Sequence, residues 1–152
     1  SVSRGLGDVY KRQMVQLVED QLDIDTYMEL REAVHFRKLS RDQARRGLDN
    51  SLYTLVAYKD GKAVGMGRIV GDGAIICYVQ DLIIRPEVQG EGIGGLILES
   101  LKSFVINTGF EGTTMMFDLM GAKGREPFYK KHGFIARPTD DLGPGMIQYL
   151  EL

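Results

Sequence analysis

Four glycines packed into six residues, Gly90, Gly92, Gly94 and Gly95 in the run Gln89-Gly90-Glu91-Gly92-Ile93-Gly94-Gly95, are the part of this chain best suited to hold an anion. An anion needs N–H donors that no side chain obstructs, and glycine removes the obstruction. The run lies between an apolar stretch, Ile75 to Ile84, and a helix-periodic one, Ile93 to Thr108. A strand therefore leads through a tight turn onto a helix N-terminus, where unpaired N–H groups and the positive end of the helix dipole attract phosphate. Glu91 is an acid inside this loop, so its N–H is expected to face the ligand and its side chain the solvent. Lys123, Arg125, Lys130 and Lys131 are the cations considered for offsetting its charge. Proton chemistry has a second candidate in Asp81, whose carboxyl is expensive in such an apolar strand unless it has a partner or a task. Two roles are expected for it: a general base, or a buried structural acid paired with Arg31 or Arg68.

Three kinds of phosphate loop compete for the glycine run. A triphosphate P-loop needs GxxxxGK[ST], which the chain lacks. The dinucleotide pattern GxGxxG is met by Gly90, Gly92 and Gly95, with Asp118 as its ribose ligand. In that pattern the first glycine follows its strand directly, whereas Arg85-Pro86-Glu87-Val88-Gln89 intervene here, and two mononucleotide halves are needed. The third kind fits better. Gln89-Gly90-Glu91-Gly92-Ile93-Gly94 fulfils [RQ]-x-x-G-x-[GA], Asp81-Leu82-Ile83-Ile84-Arg85-Pro86 looks like the strand that precedes it, and Phe128-Tyr129-Lys130-Lys131-His132-Gly133-Phe134 is similar to FYxKxGF. On these motifs the chain resembles the GNAT superfamily of N-acetyltransferases from roughly Val15 to Leu152.

The resemblance implies acetyl-CoA as cosubstrate and direct attack by a primary amine, with no covalent enzyme intermediate. It implies that the backbone of Gln89, Gly90, Glu91, Gly92, Ile93 and Gly94 holds the pyrophosphate. Leu82, Ile83 and Ile84 would pair with the pantetheine as if it were an added strand, one of their N–H groups serving as oxyanion donor. It places Tyr129 as the acid that protonates the leaving sulfur. Tyr78 and Gln80 are at positions that face the acceptor in related enzymes; period-two alternation sets Asp81 on the opposite face from them. Arg68 and Asp72 sit beside that slot, Arg68 as a substrate-selecting residue or as an ordinary ion-pair partner. Ala122 departs from the family's frequent Asn. The acceptor is read as a small molecule, and the GRIVGDG and PGM strings resemble short bacterial and plant arylamine-type enzymes. Protein N-terminal or lysine acetylation, and a non-catalytic module that senses acyl-CoA, are the alternatives.

The elements that position these residues follow from pattern and caps. With 152 residues, 43% of them hydrophobic and 26% charged, one soluble domain is expected, large enough to bury about two-thirds of its unfolded surface. The net charge of −2 offers no basic face to nucleic acid. The longest apolar stretch contains Asp81 and is too short for a bilayer. Cys77 is the single cysteine, and His35 and His132 have no ligand spacing, so neither a disulfide nor a metal site is expected. A cytoplasmic location is the matching expectation, and a homodimer is left open. Ser1 to Gln13 is read as a non-native or disordered segment, and residues 14–152 as a single domain.

Met14 to Val18 is expected as a strand, Ile24 to Phe36 as a helix, and Ser40 to Asn50 as a helix opened by a Ser40–Gln43 capping box. Leu52 to Tyr58 and Ala63 to Val70 make a hairpin about Asp60-Gly61, and Ala74 to Arg85 is the long strand. After the Ile93–Thr108 helix come strands over Thr113 to Leu119, Phe134 to Arg137 and Met146 to Glu151, with a short helix from Arg125 to His132. The fold class is α+β: a mixed, mostly antiparallel sheet flanked by helices, with splayed central strands implied by the resemblance.

Overall fold

A computed structural model describes residues 15–152, so the segment read as non-native, and Met14 with it, lie outside the described residues. The chain forms two compact units, the first ending at Leu119 and the second running from Met120 to Leu152. The first contains β1 (Val15–Glu19), α1 (Ile24–Ala33), α2 (Arg41–Asp49), β2 (Tyr53–Lys59), β3 (Lys62–Gly71), β4 (Ile76–Ile84), a 3-10 turn at Pro86–Val88, α3 (Ile93–Thr108) and β5 (Met116–Leu119). The second contains α4 (Glu126–Lys131).

Local chemistry sets these boundaries. Asp23 opens α1 by accepting from the N–H of Thr26 at 2.8 Å, which holds its carboxyl below the usual carboxylate range. That helix stops at Ala33, short of Phe36, because His35 adopts φ +58. The capping box of α2 is present in both directions, Gln43 N–H to Ser40 Oγ at 3.0 Å and Ser40 N–H to Gln43 Oε1 at 3.4 Å. Asp60 and Gly61 both have positive φ, 52 and 76, as a tight hairpin turn whose twist matches its strands requires.

The five strands lie in sequence order, with β1 to β4 antiparallel and β5 parallel to β4. One face carries α3, whose Ile93, Ile97, Leu101 and Val105 join Leu55, Ala57, Ile69, Cys77 and Val79 in a buried cluster. The other face carries α1 and α2, which enclose Met66 and Ile83 with Tyr27, Leu30 and Ala44. Contact with α3 is close because Gly65 and Gly67 present bare backbone to it. A Cβ on Gly67 would lie 2.7 Å from Ile97 Cγ2 and 2.9 Å from Leu101 Cδ1. Among the described residues no helix is long and apolar enough to cross a membrane.

The structure corrects two expected strands: neither Phe134 to Arg137 nor Met146 to Glu151 is a strand. Alternation over the second segment puts apolar residues on both faces, Met146 and Leu150 against Ile147 and Tyr149, so no single face is selected for burial. All four are 63% or more exposed.

Candidate active site

The glycine loop begins where β4 ends. Val88, 9% exposed, anchors its 3-10 turn in the core. Gly90 and Gly92 then take φ +86 and +84, with no atom within 4 Å of where a Cβ would stand on either. Such backbone favours glycine, and the open space is what a ligand approaching the backbone needs. Gly92 is also the N-cap of α3, so no side chain caps the helix, and its first turn contains no acid. The first intrahelical bond is Leu96 N–H to Gly92 C=O at 3.2 Å, which leaves the N–H groups of Ile93, Gly94 and Gly95 ahead of the hydrogen-bond ladder. Glu91 departs from expectation: its carboxylate pairs with Lys59 Nζ at 2.5 Å and is 32% exposed. The offsetting cation thus comes from the end of β2. No sequence signal links two residues that far apart.

Beside the loop, β4 changes its surroundings halfway along. Its first half, Ile76 to Val79, pairs with Met116 to Leu119 of β5, and pairing stops there. Within this unit, Gln80 to Ile84 have β3 on one side and no strand on the other. A bulge coincides with the change: Arg68 pairs with Asp81 and Ile69 with Val79, so Gln80 is the extra residue. Arg85 donates its N–H to Val64 C=O at 2.8 Å. Alternation back from Arg85 turns the backbone groups of Ile83 to β3 as well and those of Leu82 and Ile84 away from it. Ile83 therefore cannot pair with an added strand as expected. The Ile84 carbonyl accepts from Gln89 Nε2 at 3.1 Å, which leaves Leu82 N–H and C=O and Ile84 N–H facing the open side.

The bulge also corrects the facing of Asp81. Cys77 and Val79 point into the α3 cluster, so Tyr78 takes the α1 face, and the inserted Gln80 brings Asp81 onto that same face. There the carboxylate is saturated. Oδ2 accepts from Tyr27 Oη at 2.8 Å and Arg68 Nε at 2.8 Å, and Oδ1 from Arg31 Nη1 at 3.1 Å. Its side chain is 1% exposed. Arg68 is buried too, and its Nη1 donates to Gly47 C=O and Ser51 Oγ at 3.0 and 3.1 Å. Of the paired roles expected for Asp81 and Arg68, this geometry favours the structural ones. Asp72 is a turn residue, its Oδ1 accepting from the N–H groups of Ala74, Ile75 and Ile76.

A second acid on this sheet is placed differently. Asp118 stands opposite Tyr78 in the β4–β5 register, with Phe117 and Leu119 on the α3 side; strand alternation therefore turns it to the face of Tyr78. Among the described residues, its Oδ1 is the one buried side-chain nitrogen or oxygen with no hydrogen-bond partner. Burial pushes its carboxyl above the usual carboxylate range. Sequence reasoning met Asp118 only as the ribose ligand of a dinucleotide loop. The signal it passed over was an acid between apolar neighbours in a short strand.

In the second unit, the FYxKxGF string is a helix end. Gly133, φ +93, donates to Lys130 C=O at 3.0 Å and Phe134 N–H to Tyr129 C=O at 3.1 Å, the paired bonds of a Schellman stop. The ring of Phe134 closes that stop 5.9 Å from the ring of Tyr129. Phe128 meets Tyr129 edge-on at 5.1 Å. Desolvation raises the Tyr129 phenol above its ordinary value, opposed by the charge of Arg125, so it is a protonated donor at neutral pH.

Comparison with known proteins points in one direction. The acetyltransferase (GNAT) domain family matches residues 50–136. A protein of unknown function from Staphylococcus aureus superposes with a TM-score of 0.77 at 30% identity, over 90% of this chain and all of the other. A GNAT family acetyltransferase from Streptococcus pneumoniae gives 0.76 at 25% identity, over 91% of this chain and all of the other. Serotonin N-acetyltransferase 2 of rice, a chloroplast protein, is 27% identical over 134 residues, which are 84% of this chain and 63% of that protein. The chain thus spans less than two-thirds of this curated relative.

Proposed function

The chain belongs to the GNAT family of acetyltransferases, and we propose that it moves the acetyl group of acetyl-CoA onto the primary amine of a small molecule by direct attack. The observation that carries this reading is the uncapped N-terminus of α3, fronted by left-handed Gly90 and Gly92 and flanked by the half of β4 that, within this unit, has no strand on its outer side. Those features fit the two ends of one ligand, a diphosphate at the helix and an extended amide-bearing arm along the strand.

Acetyl-CoA supplies a thioester already activated toward amines. The chain's task is to hold it, to free the amine's lone pair and to protonate the departing sulfur. Backbone from Gln89 to Gly94 grips the diphosphate, and the outward groups of Leu82 and Ile84 grip the arm. The Leu82 N–H then stands as the oxyanion donor, with Tyr129 as the acid for the sulfur. Tyr78 and Gln80 line the acceptor side, while Asp81 and Arg68 hold β4 against β3 through their buried ion pair. The amine needs help because its ordinary pKa of about 10.4 makes the neutral form cost about 4.6 kcal/mol at pH 7.

A small amine is the preferred acceptor because the rice relative is named for one. A cytoplasmic location is part of the same proposal, and fractionation of cells expressing the tagged chain tests it. The enzymatic test is calorimetry with coenzyme A, followed by thiol release from acetyl-CoA with tryptamine, spermidine, glucosamine and a lysine peptide. Turnover with a small amine, falling about a hundredfold in Tyr129→Phe, is the expected outcome. Turnover with the peptide alone moves the acceptor to proteins, binding without turnover makes the chain a sensor, and no heat with coenzyme A removes the reading.

A further inference from the structure

Building on that transferase reading, we propose that Asp118 is the general base, the group that takes the proton from the ammonium of the acceptor. Its position carries the argument first. Asp118 lies in the last paired stretch of β5, opposite Tyr78 and one residue before β4 and β5 cease to pair. It shares its face with Tyr78, which fronts the acceptor in the reading above. A nucleophile bound there would stand at the end of the β4–β5 pairing, where Gln80 begins the unpaired half of β4 and the outward N–H of Leu82 follows further along the strand.

Valence carries it second. A carboxylate oxygen enclosed without a donor loses the hydration it would have in water and receives nothing in exchange. The sheet supplies donors freely to the neighbouring acid: Asp81 receives three, from Tyr27, Arg31 and Arg68. Among the described residues none reaches Asp118 Oδ1. A substrate ammonium brings the missing N–H donor, so the empty valence matches what the reaction must deliver.

The charged and titrating neighbours leave Asp118 free to act. On β4, the strand packed against it, Cys77 is fully buried with its thiol pushed up, first by desolvation and then by the Asp72 and Asp118 charges. Tyr78 is a phenol, and Asp81 is neutralised by its arginines. Desolvation raises Asp118, opposed in part by a hydrogen bond from its own backbone N–H, and a base whose pKa moves toward the working pH transfers protons more effectively. The proton balance closes. The ammonium gives one proton to the Asp118 carboxylate, and the freed lone pair forms the C–N bond as the C–S bond breaks. The sulfur takes the Tyr129 phenol proton, a second nitrogen proton replaces it, and the third remains on the amide.

The experiment measures kcat/KM against pH, with whichever panel amine the wild type acetylates, for wild type, Asp118→Asn, Asp118→Glu and Asp118→Ala. Coenzyme A binding is followed in parallel by calorimetry. Expected is a loss of about a hundredfold or more in the Asn variant, disappearance of the acidic limb, partial return in the Glu variant, and rescue of the Ala variant by added formate. Coenzyme A affinity stays within twofold. An Asn variant within threefold of wild type with the limb intact overturns the assignment while the transferase reading stands. An Ala variant that binds coenzyme A but ignores formate also overturns it. A wild type that acetylates no amine removes both.

Discussion

Asp81 and Asp118 lie on the same face of one sheet, in adjacent strands, and their surroundings are opposite. Asp81 has three donors on two oxygens and a side chain 1% exposed, whereas Asp118 has an enclosed oxygen with no donor among the described residues. Two glycines repeat the contrast. The space above Gly67 is filled by Ile97 and Leu101, and the space above Gly92 is open. A satisfied group and a filled space belong to the scaffold; an unsatisfied group and an empty space belong to the site. The distinction is one of valence and volume, and residue type does not reveal it.

Asp81→Asn tests the contrast most severely. It leaves the Arg31 and Arg68 guanidinium groups buried without their counter-charge, a change that costs about 3–5 kcal/mol. Urea unfolding should show this as a lower midpoint, and a loss under about 1 kcal/mol would erase the difference between the two acids, since a general surface change costs no more. Gly67→Ala against Gly92→Ala is the milder pair. The first forces Ile97 and Leu101 away from β3 and costs about 1–3 kcal/mol by overpacking, with coenzyme A binding changed only through stability. The second meets no atom but holds alanine at φ +84, costing about 1–2 kcal/mol and weakening coenzyme A binding directly. Equal loss of affinity in both variants would break the pairing of open space with ligand.

How far the sequence carries this depends on whether a feature is local. The α3 helix is readable to its ends because the apolar stripe and Gly109 mark it, and the Ser40–Gln43 box announces α2 in four residues. Asp81 is visible as an acid needing partners, and Arg31 and Arg68 could be named from that need. The bulge is not visible: one extra residue, Gln80, has no composition of its own, yet it reverses which residues share a face with Tyr78. Lys59 reaching Glu91 is a product of the hairpin folding back beside the loop. Asp118 is hidden for the same reason, since an unmet valence exists only once the neighbours are in place. The two strands expected near the C-terminus fail differently: their alternation puts apolar residues on both faces and selects neither.

The smallest effect should appear in the stability of Asp118→Asn, and its sign is diagnostic. Burial raises the folded pKa of Asp118 above the unfolded value of 3.8. Between those two values the folded protein binds the proton and the unfolded chain does not, so this group's contribution to stability falls as pH rises through the window. Above the window the wild type bears a fixed penalty that asparagine lacks. The melting temperature of the Asn variant should therefore match wild type below about pH 3.8 and exceed it at neutral pH. Asp72 and Asp23 behave in the opposite sense: their lowered values give stability that is lost as pH falls through the folded pKa. A half-buried acid that is removed with a gain in stability is being kept for something other than folding. An Asn variant that melts lower than wild type at neutral pH would mean that Asp118 has a partner in the fold, and would put it in the same class as Asp81.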